Sequence, residues 1–140
     1  MQADTQSAPV SKKMLWAGRI ISALPVLLMV FGGTFGLLKP AVAMPGFLQY
    51  GYPEKVFLPI CILELVCAVL YAIPRTSALG AILLTGYLGG ATATHVRVGE
   101  PIFFVPVLLG VLVWGGLYLR DGRLRGLIPL RGQTDQRPVG

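Results

Sequence analysis

Four apolar runs, set apart by short polar or proline-bearing segments, dominate this 140-residue chain; they cover about 15–38, 56–73, 78–98 and 102–119. Each approaches or exceeds the ~20 residues that a helix needs to cross the hydrocarbon core of a bilayer. The pattern predicts an all-α, integral membrane four-helix bundle over residues 14–119. Residues 1–13 are polar and aperiodic, which predicts a disordered segment. Residues 120–140 hold five arginines and no sustained pattern, and read as a basic tail.

Details within the runs sharpen this. The first contains Arg19 near its start, Pro25 inside it, and Gly32 and Gly36 as a small-residue contact surface. Ala41-Val42-Ala43 resembles a signal-peptidase site. The preceding run is longer than the ~7–15 residues of a signal-peptide core, so a retained helix is expected. Residues 39–55 carry Pro40, Pro45 and Pro53 and read as the longest internal loop above His95, or as a re-entrant or interfacial segment over the bundle mouth, with Phe47, Tyr50 and Tyr52 suited to a membrane interface. In the second run Cys61, Glu64, Ala68 and Tyr71 recur at helical spacing and share a face. A tight turn at Pro74–Ser77 follows, where Thr76 or Ser77 is the expected cap of the next helix. Gly86, Gly89 and Gly90 in the third run are expected to admit a neighbouring helix.

Composition agrees with a membrane protein. Hydrophobic residues make up 54% and charged residues 13%, against about 25% charged in ordinary globular domains. The net charge of +6 at first suggests nucleic acid, but the basic residues sit beside the apolar runs, and nucleic-acid binding is set aside. Lys12, Lys13, Arg19, Arg75, Arg120, Arg123, Arg125, Arg131 and Arg137 fall on one side of a four-span arrangement, and only Lys39, Lys55 and Arg97 on the other. The excess of basic residues predicts a multi-pass protein of the inner (plasma) membrane with both termini cytoplasmic.

The candidate chemistry lies in the opposite half. Glu64 is the one carboxylate inside an apolar run and His95 the only histidine. At about 1.5 Å per residue, Glu64 lies roughly 12–14 Å below the outer surface, with His95 about one turn down and Tyr87 deeper on the same face. A glutamate in lipid must be protonated, paired or beside water. It is either a structural pair fixing the packing, or part of an outward-opening cavity in which Glu64 and His95 move protons for a lipophilic substrate. Glu64 and His95 are therefore the catalytic candidates. Tyr87, Thr92, Thr94, Arg97 and Glu100 are candidates for substrate contact, although a helical threonine also bonds back to its own backbone.

Other chemistries are excluded. One histidine cannot supply paired haem ligands within the chain. Cys61 and Cys67 are six apart on different helix faces, and no Cys-x-x-Cys is present. No cluster has metal-ligand spacing, and no phosphate loop occurs.

Leu70-Tyr71-Ala72-Ile73-Pro74-Arg75-Thr76, with the stretch from Gly80 to Gly99 and the glutamate at position 64, resembles the DoxX-like family of small bacterial membrane proteins over roughly Trp16 to Tyr118. The resemblance implies a four-helix bundle. It also implies a quinone connection, because founding members are associated with a thiosulfate:quinone oxidoreductase and relatives with quinone or thiol-stress detoxification. Thiosulfate chemistry does not carry over, since no sulfur-handling cysteine motif is present. No covalent cofactor is expected, and a quinone is the candidate lipophilic ligand. Three functions stay open. They are a redox-linked membrane enzyme or subunit, a proton-coupled small-molecule transporter, and a structural or assembly partner. The partners would be the lipid bilayer, a quinone-like molecule, and an oxidoreductase subunit or a second copy of the chain.

Overall fold

A computed structural model describes residues 9–127, and all regular structure among them is helical. The helices are α1 (Lys12–Leu38), α2 (Pro40–Gln49), α3 (Phe57–Ala72), α4 (Ser77–Arg97), α5 (Phe104–Arg120) and α6 (Gly122–Leu127). The first eight residues and the tail beyond Leu127 lie outside the described residues, and with them most of the expected disordered segment and much of the expected tail.

The stretches Lys12–Leu38, Glu54–Ala72 and Pro101–Arg120 are long and apolar enough to cross a membrane. The 21-residue α4 is diluted by glycine and threonine and falls outside that set. α1 packs against α3 and α5, and α4 packs against the same two, so the four long helices close a ring. Large apolar side chains point away from its centre: Leu27 is 67% exposed, Phe31 70% and Val111 63%. Water would penalise that surface and lipid does not. The chain is a multi-pass membrane protein.

Within the ring, Met29, Cys67, Ala68, Tyr71, Ala81, Leu84, Leu88, Val113 and Leu117 form a continuous core. Cys61, Ala68 and Tyr71 are buried on one face of α3 with Glu64 half-buried beside them, as their helical spacing predicts. A polar knot crosses this core. The Tyr71 hydroxyl donates to the Val113 carbonyl at 2.7 Å. Its single hydrogen is thereby committed, so Ser22 Oγ donates to it across 2.9 Å. Three helices are thus tied by groups that have no water to turn to.

Glycine decides where the helices approach. A Cβ on Gly18 would lie 2.9 Å from the Gly116 carbonyl oxygen, and one on Gly32 3.2 Å from Glu64 Oε1. Gly36 meets Cys61 of α3 in the same way, as the small-residue reading of α1 expects.

Two expectations are overturned and a third holds in part. Residues 40–49 are a helix rather than a loop: Pro40 stands in the first turn, where a missing N–H costs nothing. Thr76 stands at the N-cap position of α4, as one of the two expected candidates, but neither its side chain nor that of Ser77 makes a capping bond. The Thr76 hydroxyl instead donates to the Leu70 carbonyl at 2.7 Å, and Ser77 Oγ to the Pro74 carbonyl at 3.1 Å. Gly86, Gly89 and Gly90 admit no neighbour, since a Cβ at any of them would meet nothing within 4 Å. In addition, the start of the expected tail is ordered as the short α6, where Arg125 donates to the Tyr118 and Leu119 carbonyls that end α5.

Candidate functional site

Gly86 and Gly90 instead form one wall of a cavity of about 310 Å³ between α3 and α4. Ile60 and Leu63 of α3 face them, Tyr87, Ala91, Thr94 and His95 complete the α4 wall, and Phe47, Tyr50 and Tyr52 roof it. Leu63, Gly86 and Gly90 are exposed, so the cavity opens sideways on the outer surface of the ring. A smaller cavity of about 200 Å³ lies among the four long helices, with Met29 of α1, Glu64 of α3, and Val105, Pro106 and Leu109 of α5 among its walls. Tyr87, Ala91 and His95 border both spaces.

The aromatic roof is anchored to α4 by polar contacts. Tyr52 Oη lies 2.6 Å from Thr94 Oγ1. Thr94 Oγ1 in turn donates to the Gly90 carbonyl at 2.9 Å, so the Tyr52 hydroxyl is the donor of the pair. Tyr50 donates from its hydroxyl to Glu100 Oε2 at 3.1 Å, and the Arg97 guanidinium donates to the Tyr50 carbonyl. Arg97 also lies 5.8 Å from the centre of the Tyr52 ring. Phe47 stacks on Tyr52 and meets Phe57 edge-on, each at 5.2 Å between ring centres, which ties α2 to the start of α3. Burial, and then the Glu100 carboxylate that accepts its hydrogen bond, push the Tyr50 phenol above its ordinary pKa, so it stays a donor.

His95 is oriented by the same framework. Its Nδ1 lies 2.9 Å from the Ala91 carbonyl, which can only accept, so Nδ1 carries a hydrogen. The neutral ring therefore holds its lone pair at Nε2, which is 3.9 Å from Glu100 Oε2. Uptake of a second proton at Nε2 turns that approach into an ion pair. Tyr50 packs against the ring at 5.1 Å between centres.

Glu64 packs its carboxylate against Gly32 of α1, with Tyr87 as its polar neighbour. Glu64 and His95 line the same smaller cavity, but no hydrogen bond or ion pair joins them among the described residues. Thr92 donates back to the Leu88 carbonyl at 2.8 Å and borders neither space. Arg97 and Glu100 hold the roof and the histidine rather than bordering either space. Sequence reasoning set the 39–55 segment over His95, Arg97 and Glu100, but gave Phe47, Tyr50 and Tyr52 no part in the site. Their signal was three aromatics, two with hydroxyls, within six residues opposite the His95 end of α4.

Cys61 and Cys67 are both free and buried. No group of three or more His, Cys, Asp or Glu side chains suited to a metal occurs among the described residues. Neither a curated protein nor a solved structure matches the chain. The model of the DoxX-like family matches residues 20–116, from early in α1 to late in α5, and the chain belongs to that family.

Proposed function

We propose that this protein is a redox-linked membrane enzyme or subunit that binds a quinone-like molecule in the larger cavity, with His95 and Glu64 handling its protons. The observation that carries this is the shared wall of Tyr87, Ala91 and His95, which sets Glu64 and the histidine around two adjoining spaces. A volume of about 310 Å³ suits a small lipophilic ring system with its tail leaving through the side opening. Reduction of a quinone to a quinol takes two electrons and two protons. The protons enter through His95 Nε2, beside the partly exposed Glu100, and through Glu64. The electrons come from a partner oxidoreductase.

The same proposal includes a four-span bundle in the inner membrane. At about 1.5 Å per residue, the 21 residues of α4 extend roughly 31 Å, which matches the ~30 Å hydrocarbon core. The arginine-rich end faces the cytoplasm. Cysteines placed at Gln49 and Gly140 should label from opposite faces of oriented vesicles; labelling from one face would reject this topology.

The functional test is binding of a photoreactive short-chain benzoquinone to the full chain in nanodiscs. Glu64→Gln keeps the shape of the side chain and removes its titration. It and His95→Ala should each weaken binding about tenfold while the protein still folds. A double-mutant cycle should show coupling between them. Full binding by both variants, or strictly additive losses, would make the two residues structural and favour an assembly role.

A further inference from the structure

At the end of the ring opposite α2, a hollow of about 270 Å³ gathers Arg19 of α1, Pro74 and Ser77 of the α3–α4 turn, and Arg120, Asp121 and Arg123 from the end of α5 onward. Three arginines against one aspartate leave a surplus of two positive charges. The aspartate lines the same hollow without pairing to an arginine among the described residues. Its Oδ1 accepts the Arg123 backbone N–H at 2.9 Å. Arg120 is held in place by the Tyr71 carbonyl, 2.9 Å from Nη2, while its buried Nε has no partner. Arg19 and Arg123 are exposed, with the Arg19 guanidinium 5.7 Å from the centre of the Trp16 ring.

The backbone favours the same kind of guest. Thr76 spends its hydroxyl on α3, so the first turn of α4 has no side-chain acceptor over its free N–H groups. Ser77 in that turn borders the hollow, and the N-terminus of a long helix attracts anions. Pro74, Ser77, Asp121 and Arg123 also border an adjoining space of about 460 Å³ that adds Arg75 and the apolar Leu124 and Leu127. The guest thus meets cations first and an apolar ledge beside them.

We propose that this hollow binds a phosphate-bearing anion, supplied by the headgroup of an anionic phospholipid. A basic pocket between helix ends at the membrane surface recognises such a headgroup by charge and by forked N–H donors. Pro74 and Ser77 lie within the residues matched to the family, and Arg19, Arg120 and Arg123 just outside them. The site is independent of the quinone reading.

The test is native mass spectrometry of the full chain released from nanodiscs containing phosphatidylglycerol and phosphatidylcholine. Wild type should retain phosphatidylglycerol selectively. Arg19→Gln/Arg123→Gln should lower that retention roughly tenfold, whereas Lys12→Gln/Lys13→Gln removes equal charge from the same end and should not. Both arginines are exposed, so the variant should fold. A second arm adds inorganic phosphate in phosphatidylcholine alone and follows thermal unfolding. Stabilisation abolished by the arginine pair, without lipid selectivity, would keep the phosphate site and assign it to a soluble anion. Equal lipid loss in both variants, or no response to either probe, would overturn the proposal.

Discussion

Replacing Gly80 with alanine should cost about 3 kcal/mol or more, a large part of the stability of a small protein. Gly80 is buried where α4 turns back beside the end of α3. A Cβ there would overlap the Tyr71 backbone and lie 2.7 Å from the Leu70 carbonyl carbon. These are main-chain atoms, so no side-chain rotation relieves the clash and the two helices must part. Tyr71 is fully buried and holds Ser22 and Val113, so its displacement loosens α1 and α5 as well. Thermal unfolding in detergent should show a large fall for Gly80→Ala and little change for Gly86→Ala, whose Cβ meets nothing within 4 Å. Equal melting of the two would mean that α3 and α4 do not approach at Gly80.

Gly90→Leu should do the reverse: leave stability within about 0.5 kcal/mol and weaken ligand binding. A Cβ at this position meets nothing within 4 Å, and the rest of a leucine side chain has the adjoining cavity to enter. It occupies the wall of the larger cavity beside Ala91 and Thr94, where a flat ring would lie. Binding of the benzoquinone probe should fall by at least about tenfold, the scale of a lost apolar contact, and by more if the leucine fills the space. A destabilised protein would show that the glycine is packed after all. A folded protein that binds normally would place the ligand elsewhere.

These glycines mark where the sequence stopped being legible. A small residue in an apolar run reports that something needs room, not whether the occupant is a helix or a guest. Gly32 and Gly36 make room for Glu64 and Cys61, whereas Gly86 and Gly90 border open space. The pattern is the same and the partner differs. The long helices were legible because lipid selects unbroken apolar runs, and the helices end within about a turn of those runs. Glu64 and His95 could be set in one half by counting residues along two antiparallel helices. Their facing a common space could not, because the angle between the helices is set by distant contacts. α2 was hidden by its prolines, which usually signal loops. Thr76 was legible as the N-cap residue of α4, but not that its hydroxyl bonds back to the preceding helix instead of the first turn.

The core knot has a consequence for biosynthesis. Among the described helices Ser22 lies in the one made earliest, Tyr71 in a middle one, and the carbonyl of Val113 that completes the knot in the last long one. Until α5 emerges, the two hydroxyls must wait in partly assembled helices, bonded to each other or to whatever the translocon offers. Any chain truncated before α5 therefore exposes polar groups on what should be its sealed face. The finished protein conceals those groups, because the Val113 carbonyl and the Tyr71 and Ser22 hydroxyls satisfy one another in the core.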